Sequence, residues 1–434
     1  MFKELTIFSS AICNLKCTYC YIKKEPEVFA FDEEIVNAIK SDEYIKRFKQ
    51  DFPESINSIE SLALWGAEPT IHLDLIASKL ALFKQTFPNL YKVKMSSNYT
   101  HPKFISNIKS LIDEMAKLQS TKWFLVVQCS IDGTKDINDK NRGVGTTDLI
   151  VKNLNMIKQL SLPDNVELFI HNKATISNES FIKLSNFDYA ESYFLFFKKH
   201  FNCLNPQIHM QISCPTVVEP YYYTKEDGII FSKVIDNFIL LSKKYNCWYV
   251  PYLKKRNYRI SEYYKGGFCG QCRSSVTMLP NNIYALCHRA GFDIVSTHYK
   301  TRIMEYKNSF DRDISGVKNR WITDVGKYKK LISNVNNVYE TKSKFLFTQC
   351  FNIAKVLCGI GVISPIYKDD LLLKKHVSLF LDFTICMQTN LELNGSMFSY
   401  SSYHIPLFFN GAIEKLYNYI KSQKLLSEEG FVND

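Results

Sequence analysis

Three cysteines near the start of the chain have the type and spacing of metal ligands. Cys13, Cys17 and Cys20 form a C-x3-C-x2-C run, and the aromatic residue Tyr19 stands just before the last of them. Soft thiolate sulfurs suit iron, so three of them can hold three corners of a cubane 4Fe–4S cluster and leave the fourth iron open for a small molecule. The same residues could instead hold zinc with a distant fourth ligand, or they could be unliganded thiols.

A second cysteine pattern lies in the C-terminal half of the chain. Cys269, Cys272 and Cys287 have the spacing C-x2-C-x14-C, and His288 follows the last of them. Two apolar runs separated by Pro280–Asn282 predict a β-hairpin in the gap, which would bring Cys287 back beside the first pair. A zinc site and free thiols are the alternatives to an iron–sulfur cluster here. Further candidate ligands are Cys350, Cys358 and Cys386.

Strands and helices alternate over the first half of the chain, which predicts an α/β fold with a parallel sheet. We expect strands at Leu5–Phe8, Ile59–Trp65, Lys92–Ser96, Trp123–Ser130, Val166–Ile170 and Gln207–Ile212. We expect helices at Asp32–Gln50, Leu73–Gln85, Pro102–Leu118 and Asp148–Leu160. About six β/α units fit before residue 220, which predicts a partial (β/α)6 TIM-like barrel with its functional residues at the carboxyl ends of the strands.

Polar and glycine-containing segments follow the later predicted strands at that same end. The second strand leads into Gly66-Ala67-Glu68-Pro69, whose carboxylate and bare carbonyls could accept hydrogen bonds from an ammonium group. Arg142 lies beyond the fourth strand, and an arginine can pair bidentately with a carboxylate. Further candidates at the third to fifth strand ends are Ser97, Asn98, Ser130, Asp132 and His171. All of these residues also fit ordinary turns and loops.

The order of these motifs, from Cys13 to about residue 211, resembles that of the radical S-adenosylmethionine (SAM) enzymes. Residues 66–69 are similar to the G-G-E-P run of that family, with Ala67 in place of the second glycine. In the family, the open iron of the cluster binds the amino and carboxylate groups of SAM. The resemblance implies contacts to SAM from Tyr19, Gly66, Ala67, Glu68, Pro69, Ser97, Asn98, Ser130, Asp132, Arg142 and His171.

The second cysteine pattern resembles the start of SPASM and twitch domains, which carry auxiliary clusters in peptide-modifying radical SAM enzymes. A full SPASM domain uses about eight cysteines for two clusters, and this chain has six in the corresponding part. We therefore expect one auxiliary Fe–S cluster, held by Cys269, Cys272, Cys287 and a later cysteine. The implied domains are the radical SAM partial barrel at 1–220, a helical bridge at 221–260 and a SPASM/twitch-like auxiliary-cluster domain at 261–434.

The resemblance implies a peptide maturase that cleaves SAM reductively to a 5′-deoxyadenosyl radical. The radical would abstract a hydrogen atom from a ribosomally made precursor peptide and so lead to a cross-link or an oxidation. His288 is a candidate base, although related sulfatase-maturing enzymes have an Asp there, which counts against a sulfatase maturase. The alternatives are an enzyme that acts on a small metabolite and a non-catalytic iron–sulfur or zinc scaffold. Expected partners are the precursor peptide and an external electron donor of the flavodoxin or ferredoxin type.

Composition limits the remaining classes of function. The chain has 434 residues, of which 46% are hydrophobic, so it is long enough for two domains with sizeable cores. Its formal net charge of +11 is spread along the sequence, which favours a basic surface or an acidic partner over nucleic-acid binding. No apolar run is long enough to span a bilayer. Thirteen cysteines without a secretory signal favour metal ligands over disulfides, and we expect a cytoplasmic protein.

Overall fold

The structure, a computed structural model, divides the chain into two compact units. The described residues are 1–18, 20, 26–175, 178–201, 212–213, 233, 237, 240–241, 244–245, 274–285, 321–322 and 324–330. The first unit comprises residues 1–175, 197–206 and 270–332, and the second comprises residues 176–196, 207–269 and 333–434. The predicted domain boundaries near residues 220 and 260 lie outside the described residues, so they stay predictions.

A mainly parallel sheet forms the centre of the first unit. Its strands are β1 Glu4–Ser10, β2 Ser61–Gly66, β3 Lys92–Ser97, β4 Trp123–Ser130, β5 Val166–Thr175, β7 Ser275–Leu279, β8 Ile283–Ala285 and β9 Trp321–Ile322. Strand β6, Ile212–Ser213, belongs to the second unit. They lie in the order β5-β4-β3-β2-β1-β7-β8-β9. All neighbours from β5 to β7 are parallel, and β8 and β9 are antiparallel. The predicted α/β class with a parallel sheet is confirmed, and its closure into a partial barrel stays a prediction.

Helices connect the parallel strands. Their bounds are α1 Pro26–Lys40, α2 Glu43–Asp51, α3 Leu73–Ser78, α4 Leu80–Thr86, α5 Phe104–Lys117, α6 Lys135–Arg142, α7 Thr146–Lys158, α8 Asn178–Leu184 and α9 Phe187–Phe201, with 3-10 helices at Pro53–Ser58 and Pro69–His72. In α5 the buried side chains recur at the helical period, as in Phe104, Ile108 and Leu111. That apolar stripe explains why the helix was predictable from sequence.

Several predicted elements differ from the observed ones. The prediction of a single helix at Asp32–Gln50 is wrong. The helix is interrupted between α1 and α2, where Asp42 adopts a left-handed conformation with φ 60°. The helix expected at Leu73–Gln85 is likewise two helices, which meet at Lys79. Strand β5 continues to Thr175, beyond its predicted end at Ile170, so His171 lies inside the strand. Of the strand expected at Gln207–Ile212, only Ile212 lies among the described residues.

The hairpin predicted around Pro280–Asn282 is confirmed. Strands β7 and β8 pair antiparallel, and Asn281 and Asn282 turn the chain with φ values of 59° and 58°. Asparagine tolerates this left-handed region better than most residues. Arg47 on α2 fixes the hairpin by donating to the Leu279 carbonyl at 2.9 Å. The hairpin is therefore an integral part of the first unit.

Candidate functional site

The cysteine loop leaves the sheet at the carboxyl end of β1, which is the end predicted for functional residues. Cys13, Cys17 and Cys20 are half-buried and form no disulfide. The Cys20 N–H donates to the Cys17 carbonyl at 3.0 Å, and the Thr18 N–H donates to the Asn141 carbonyl at 2.8 Å. Hydrogen bonds within the loop and to the end of α6 therefore bring the middle of the loop close to the β4–α7 region.

Two N–H donors point at the sulfur of the first cysteine. The Leu15 backbone N–H and the Asn98 side-chain amide each lie 3.4 Å from Cys13 Sγ. The same Asn98 amide nitrogen donates to Asn14 Oδ1 at 2.9 Å, and Asn98 Oδ1 accepts from the Thr100 backbone N–H at 2.7 Å. N–H donors to ligand sulfurs are a recurring feature of iron–sulfur sites. Asn98, from the end of β3, is thus held in place to contact Cys13.

The thiols of the loop fit a cationic ligand. Burial raises the pKa of the Cys13 thiol to about 12, with a smaller contribution from Glu68. Burial also raises the pKa of Cys17 to about 11, against the opposing effect of the Arg142 guanidinium. A thiolate at such a position is costly unless a metal neutralises it. Three thiols, the first of them with two N–H donors at its sulfur, therefore form a donor set suited to an iron–sulfur cluster.

The geometry differs from that of a single-ion site. Within the described part of the chain, no three His, Cys, Asp or Glu side chains converge on a point where one metal ion could bind. A cubane cluster places a different iron behind each thiolate, so its ligands do not converge on one point. This finding for the described residues is compatible with a cluster, and zinc with a distant fourth ligand stays an alternative for the loop.

The turn after β2 packs directly against the residues that precede Cys13. The Ala67 N–H donates to the Ser10 carbonyl at 2.9 Å, and the Glu68 N–H donates to the Ile12 carbonyl at 3.1 Å. A Cβ atom on Gly66 would lie 2.1 Å from the Ser10 carbonyl oxygen, so only glycine allows this approach. The glycine predicted from the motif therefore has a structural reason here, and Pro69 opens the 3-10 helix that follows.

The carboxylate of Glu68 is buried and accepts hydrogen bonds from neighbouring loops. Glu68 is 1% exposed. Its Oε1 accepts from Thr70 Oγ1 at 2.6 Å, and its Oε2 accepts from the Asn98 N–H at 2.7 Å. Burial raises the pKa of this carboxyl, and hydrogen bonds from Thr70, Asn98 and Ser97 act in the opposite direction. The carboxylate links the β2 turn to the end of β3.

The end of β3 also carries Ser97, which the sequence assigned to SAM binding. Ser97 is 1% exposed, and its hydroxyl accepts from the Tyr99 N–H at 3.0 Å. The register pairs it with Cys129 of β4, which is also buried. Ser97 therefore lies on the buried face of the sheet, whereas Asn98 reaches the cysteine loop.

A buried ion pair follows β4. Arg142 Nη2 donates to Asp132 Oδ1 at 2.7 Å, and their side chains are 7% and 0% exposed. Asp132 Oδ2 also accepts from the Asn141 side chain at 3.2 Å, and its backbone N–H donates to Asn138 Oδ1 at 3.0 Å. Thus Asp132 and Arg142 lie together, whereas the sequence motif implied only that each contacts SAM. Their pairing ties the end of β4 to the end of α6.

The half-exposed face of the sheet brings together polar residues from β3, β4 and β5. Ser96 Oγ lies 3.1 Å from Ser130 Oγ, and Gln128 Nε2 lies 3.0 Å from His171 Nε2. Lys173 Nζ lies 5.9 Å from the centroid of the Trp65 ring. Sequence reasoning missed Gln128, Lys173 and Trp65. Side chains alternate between the two faces of a strand, so residues two positions from Ser130 or His171 share their face. This alternation, with the pairing of Gln128 opposite His171 and Lys173 opposite Ser130, could have identified Gln128 and Lys173.

Several predicted site residues lie outside the described residues. They are Tyr19, Cys269, Cys272, Cys287, His288, Cys350, Cys358 and Cys386. The auxiliary cluster therefore stays a prediction. Among the helices of the described ranges, none is long and apolar enough to cross a membrane.

Comparison with known proteins identifies the domain that contains this site. Residues 7–187 match the family profile described as the Radical SAM superfamily. The chain is 26% identical over 242 residues to the cysteine-type anaerobic sulfatase-maturating enzyme of Clostridium perfringens (strain ATCC 13124), a match that covers 53% of this chain and 60% of that protein. It is 25% identical over 264 residues to the enzyme of the same name from Clostridium novyi (strain NT), with coverages of 57% and 60%. The chain thus spans about 60% of the length of these curated relatives.

Solved structures of similar proteins bear related descriptions. One, native anSMEcpe with bound AdoMet, aligns with a TM-score of 0.43 at 16% identity and covers 66% of this chain and 74% of its own. Another, the same protein with bound AdoMet and Cp18Cys peptide, aligns with a TM-score of 0.41 at 17% identity and covers 76% and 83%.

Proposed function

Because residues 7–187 carry a radical SAM domain, we propose that the protein is a radical SAM enzyme that modifies a peptide or protein substrate. In this proposal Cys13, Cys17 and Cys20 hold the SAM-binding 4Fe–4S cluster, and the sheet is the partial (β/α)6 barrel. The cluster and SAM, when bound, supply one-electron cleavage of SAM and the hydrogen-abstracting radical. The observation that carries the proposal is the pair of N–H donors, from Leu15 and Asn98, at Cys13 Sγ.

The chain's own residues have distinct parts in this proposal. Asn98 orients and hydrogen-bonds Cys13, and the backbone of Gly66 and Ala67 offers acceptors to the SAM ammonium. Glu68 supports the site from a buried position, because its carboxylate accepts hydrogen bonds from the Thr70 hydroxyl and the Asn98 N–H. This assigns Glu68 a bracing role in place of the direct SAM contact that the sequence motif implied.

Two further groups complete the proposed SAM site. Arg142 places a guanidinium beside the loop, which lowers the pKa of Cys17, and its partner Asp132 acts in the opposite direction. Ser130 and His171 lie on the half-exposed face of the sheet, from which they can contact SAM or substrate. Ser97 contributes by shaping the turn at Tyr99.

The peptide or protein substrate is supported by the names of the relatives. The curated relatives are cysteine-type anaerobic sulfatase-maturating enzymes, and one solved neighbour is described with a bound peptide. The cysteine pattern of the second half, with its confirmed hairpin, is in keeping with one auxiliary cluster. A cross-link or an oxidation in the substrate, with an external flavodoxin- or ferredoxin-type electron donor, is the chemistry we propose.

The test is SAM cleavage by the full chain after anaerobic reconstitution with iron and sulfide. Under reducing conditions we expect 5′-deoxyadenosine and methionine from the unaltered protein, and none from the Cys13→Ala, Cys17→Ala, Cys20→Ala variant. Cys129→Ala is the matched control, because Cys129 is also free but lies buried within β4. Equal SAM cleavage by the triple variant and the control would sink the proposal.

The same triple variant tests the auxiliary cluster. Retention of about four irons per chain would assign a second cubane cluster to the cysteines of the second half. Essentially no iron would leave that half as a zinc or thiol domain and would reopen the small-metabolite alternative. Incubation of the active enzyme with a cysteine-containing peptide, followed by mass spectrometry for loss of hydrogen, then tests the substrate class.

A further inference from the structure

Asp32, on α1, joins the segment before Cys13 to the helix after Glu68. The residue is 6% exposed. Its Oδ1 accepts from the Ala11 backbone N–H at 2.6 Å and lies 3.2 Å from Ser10 Oγ. Its other oxygen, Oδ2, lies 2.7 Å from His72 Nε2 at the end of the 3-10 helix. One buried carboxylate thus contacts both segments that frame the site.

A β-bulge at the end of β1 supplies the hydroxyl that faces this carboxylate. The pairing with β2 passes from Phe8 opposite Trp65 to Ser10 opposite Gly66, so Ser9 is an extra residue. Because side chains alternate between the faces of a strand, an extra residue re-aims the side chain that follows it. Bulges of this kind are enriched next to active sites.

The residues between the bulge and Cys13 are held on two sides. On one side, the Ser10 and Ile12 carbonyls accept from the Ala67 and Glu68 N–H groups of the β2 turn. On the other side, Asp32 accepts from the Ala11 N–H. Successive backbone groups along these residues thus bond alternately to the turn and to α1. Of these three contacts to the turn and to α1, the one with Asp32 depends on a side chain, so substitution can remove it directly.

We propose that Asp32 is a positioning residue for the cysteine loop, which it holds against the Gly66–Glu68 turn through Ala11 and His72. The inference rests on the proposed function, since it concerns the loop that would hold the cluster. Asp32 contacts the Ala11 N–H, the Ser10 hydroxyl and the His72 imidazole, and it touches none of the three cysteines in the described contacts. Substitution of Asp32 should therefore change the rate of iron loss from the cluster and the response of the cluster to SAM.

The test compares Asp32→Ala with Asp32→Asn in the full, anaerobically reconstituted chain. Asparagine keeps an acceptor for the Ala11 N–H, whereas alanine removes it. We expect iron loss to a chelator to accelerate about 10–100-fold in Asp32→Ala, the range typical for loss of a residue that supports metal ligands. In Asp32→Asn the rate of iron loss should stay within about threefold of that of the unaltered protein. The change that SAM causes in the electron paramagnetic resonance spectrum of the reduced cluster should be lost or altered only in Asp32→Ala.

A second pair of variants keeps the proposal falsifiable if Asp32→Ala does not fold. His72 is about one quarter exposed, so its substitution places less strain on the core. His72→Gln retains a nitrogen donor near the position of Nε2, and His72→Ala removes it. We expect faster iron loss from His72→Ala and rescue by His72→Gln. Asp148→Asn is the control, since Asp148 on α7 forms an exposed ion pair with Lys135 of α6.

The outcomes separate this inference from the proposed function. If the unaltered protein cleaves SAM, and Asp32→Ala and His72→Ala lose iron and respond to SAM as Asp148→Asn does, the positioning role is wrong and the proposed function stands. If the unaltered protein holds iron but does not cleave SAM, the proposed function fails, and the iron-loss comparison still tests whether Asp32 holds the loop.

Discussion

Asn98 Nδ2 lies 3.4 Å from Cys13 Sγ, and the backbone N–H of the same asparagine donates to Glu68 Oε2 at 2.7 Å. One residue at the end of β3 therefore connects the cysteine loop with the turn after β2. Along the chain, Asn98 is 30 residues from Glu68 and 85 residues from Cys13. The sheet nevertheless places all three at one edge, because parallel strands end on the same side. The function that we propose depends on that edge.

Substitution of Asn98 should weaken the cluster site more than the fold. Asn98→Ala removes a donor to Cys13 and the side-chain hydrogen bonds with Asn14 and Thr100. We therefore expect the free energy of unfolding to fall by about 1–3 kcal/mol, typical of lost buried hydrogen bonds. Loss of an N–H donor should also make the reduced cluster less favourable and lower its reduction potential. The measurements are urea unfolding of the iron-free protein and a redox titration of the reconstituted protein. Asn153→Ala, which removes a donor to the Tyr99 carbonyl, should lower stability without moving the potential.

The close approach at Gly66 predicts a severe effect of one added methyl group. In Gly66→Ala the new Cβ would meet the Ser10 carbonyl oxygen at 2.1 Å, and a backbone atom cannot move aside without disturbing β1. We expect a loss of at least about 1–3 kcal/mol in the free energy of unfolding. Gly145→Ala is the control, since its φ is 84° but no atom lies within 4 Å of the added Cβ. It should cost about 1–2 kcal/mol, from backbone conformation alone. Equal losses in urea titrations would show that the β1–β2 contact relaxes freely.

The sequence predicts the strands better than it predicts the contacts among them. Strand β4 is observed at Trp123–Ser130, as expected, because its buried and half-exposed residues alternate along its whole length. The hairpin turn was predictable because Asn281 and Asn282 suit positive φ. By contrast, the polar run that includes His171 and Lys173 suggested a loop, although these side chains lie on the half-exposed face of β5. Alternation would have indicated the longer strand.

Long-range contacts set the roles that local motifs could not. The motif implied that Glu68 faces a ligand, yet its carboxylate bonds to Asn98, which is 30 residues away. Asp32 carried no motif at all, and its contacts to Ala11 and His72 depend on how α1 packs. Such partners are set by tertiary packing, which residue spacing does not encode. The sequence thus predicted the segments of the proposed site, and the structure adds the contacts among those segments and to Asp32.

Asp139 predicts a pH-dependent contribution to stability. Its carboxylate accepts from the Thr147 N–H at 2.8 Å and the Gly145 N–H at 2.9 Å, and so caps the start of α7. Burial alone would raise the pKa of Asp139, but these hydrogen bonds and that of the Thr147 hydroxyl outweigh it and lower the pKa. A carboxyl group with a lower pKa in the folded state stabilises the protein above its unfolded pKa, near 3.9, and this contribution is lost as the pH falls.

The test for Asp139 is the free energy of unfolding of Asp139→Asn as a function of pH. We expect a deficit of about 0.5–2 kcal/mol at pH 7, as for a lost helix cap, that shrinks as the pH falls below about 4. Asp136→Asn in the same helix is the control, because Asp136 is exposed and accepts from the Thr134 hydroxyl. A deficit that stays constant with pH would mean that shape, not charge, accounts for the cap.

The Asp132–Arg142 pair should show strong coupling in a double-mutant cycle. Both side chains are buried, so Arg142→Met leaves the Asp132 carboxylate without its cation in a region of low dielectric constant. Breaking a buried pair by removing one partner typically costs about 3–5 kcal/mol, because the remaining charge is uncompensated. In the double variant with Asp132→Asn no such charge remains, and we expect part of the loss to be recovered. Urea unfolding of the four proteins gives the coupling energy. Additive losses would mean that the two residues act independently, and the arginine would then owe its place beside Cys17 to something other than this ion pair.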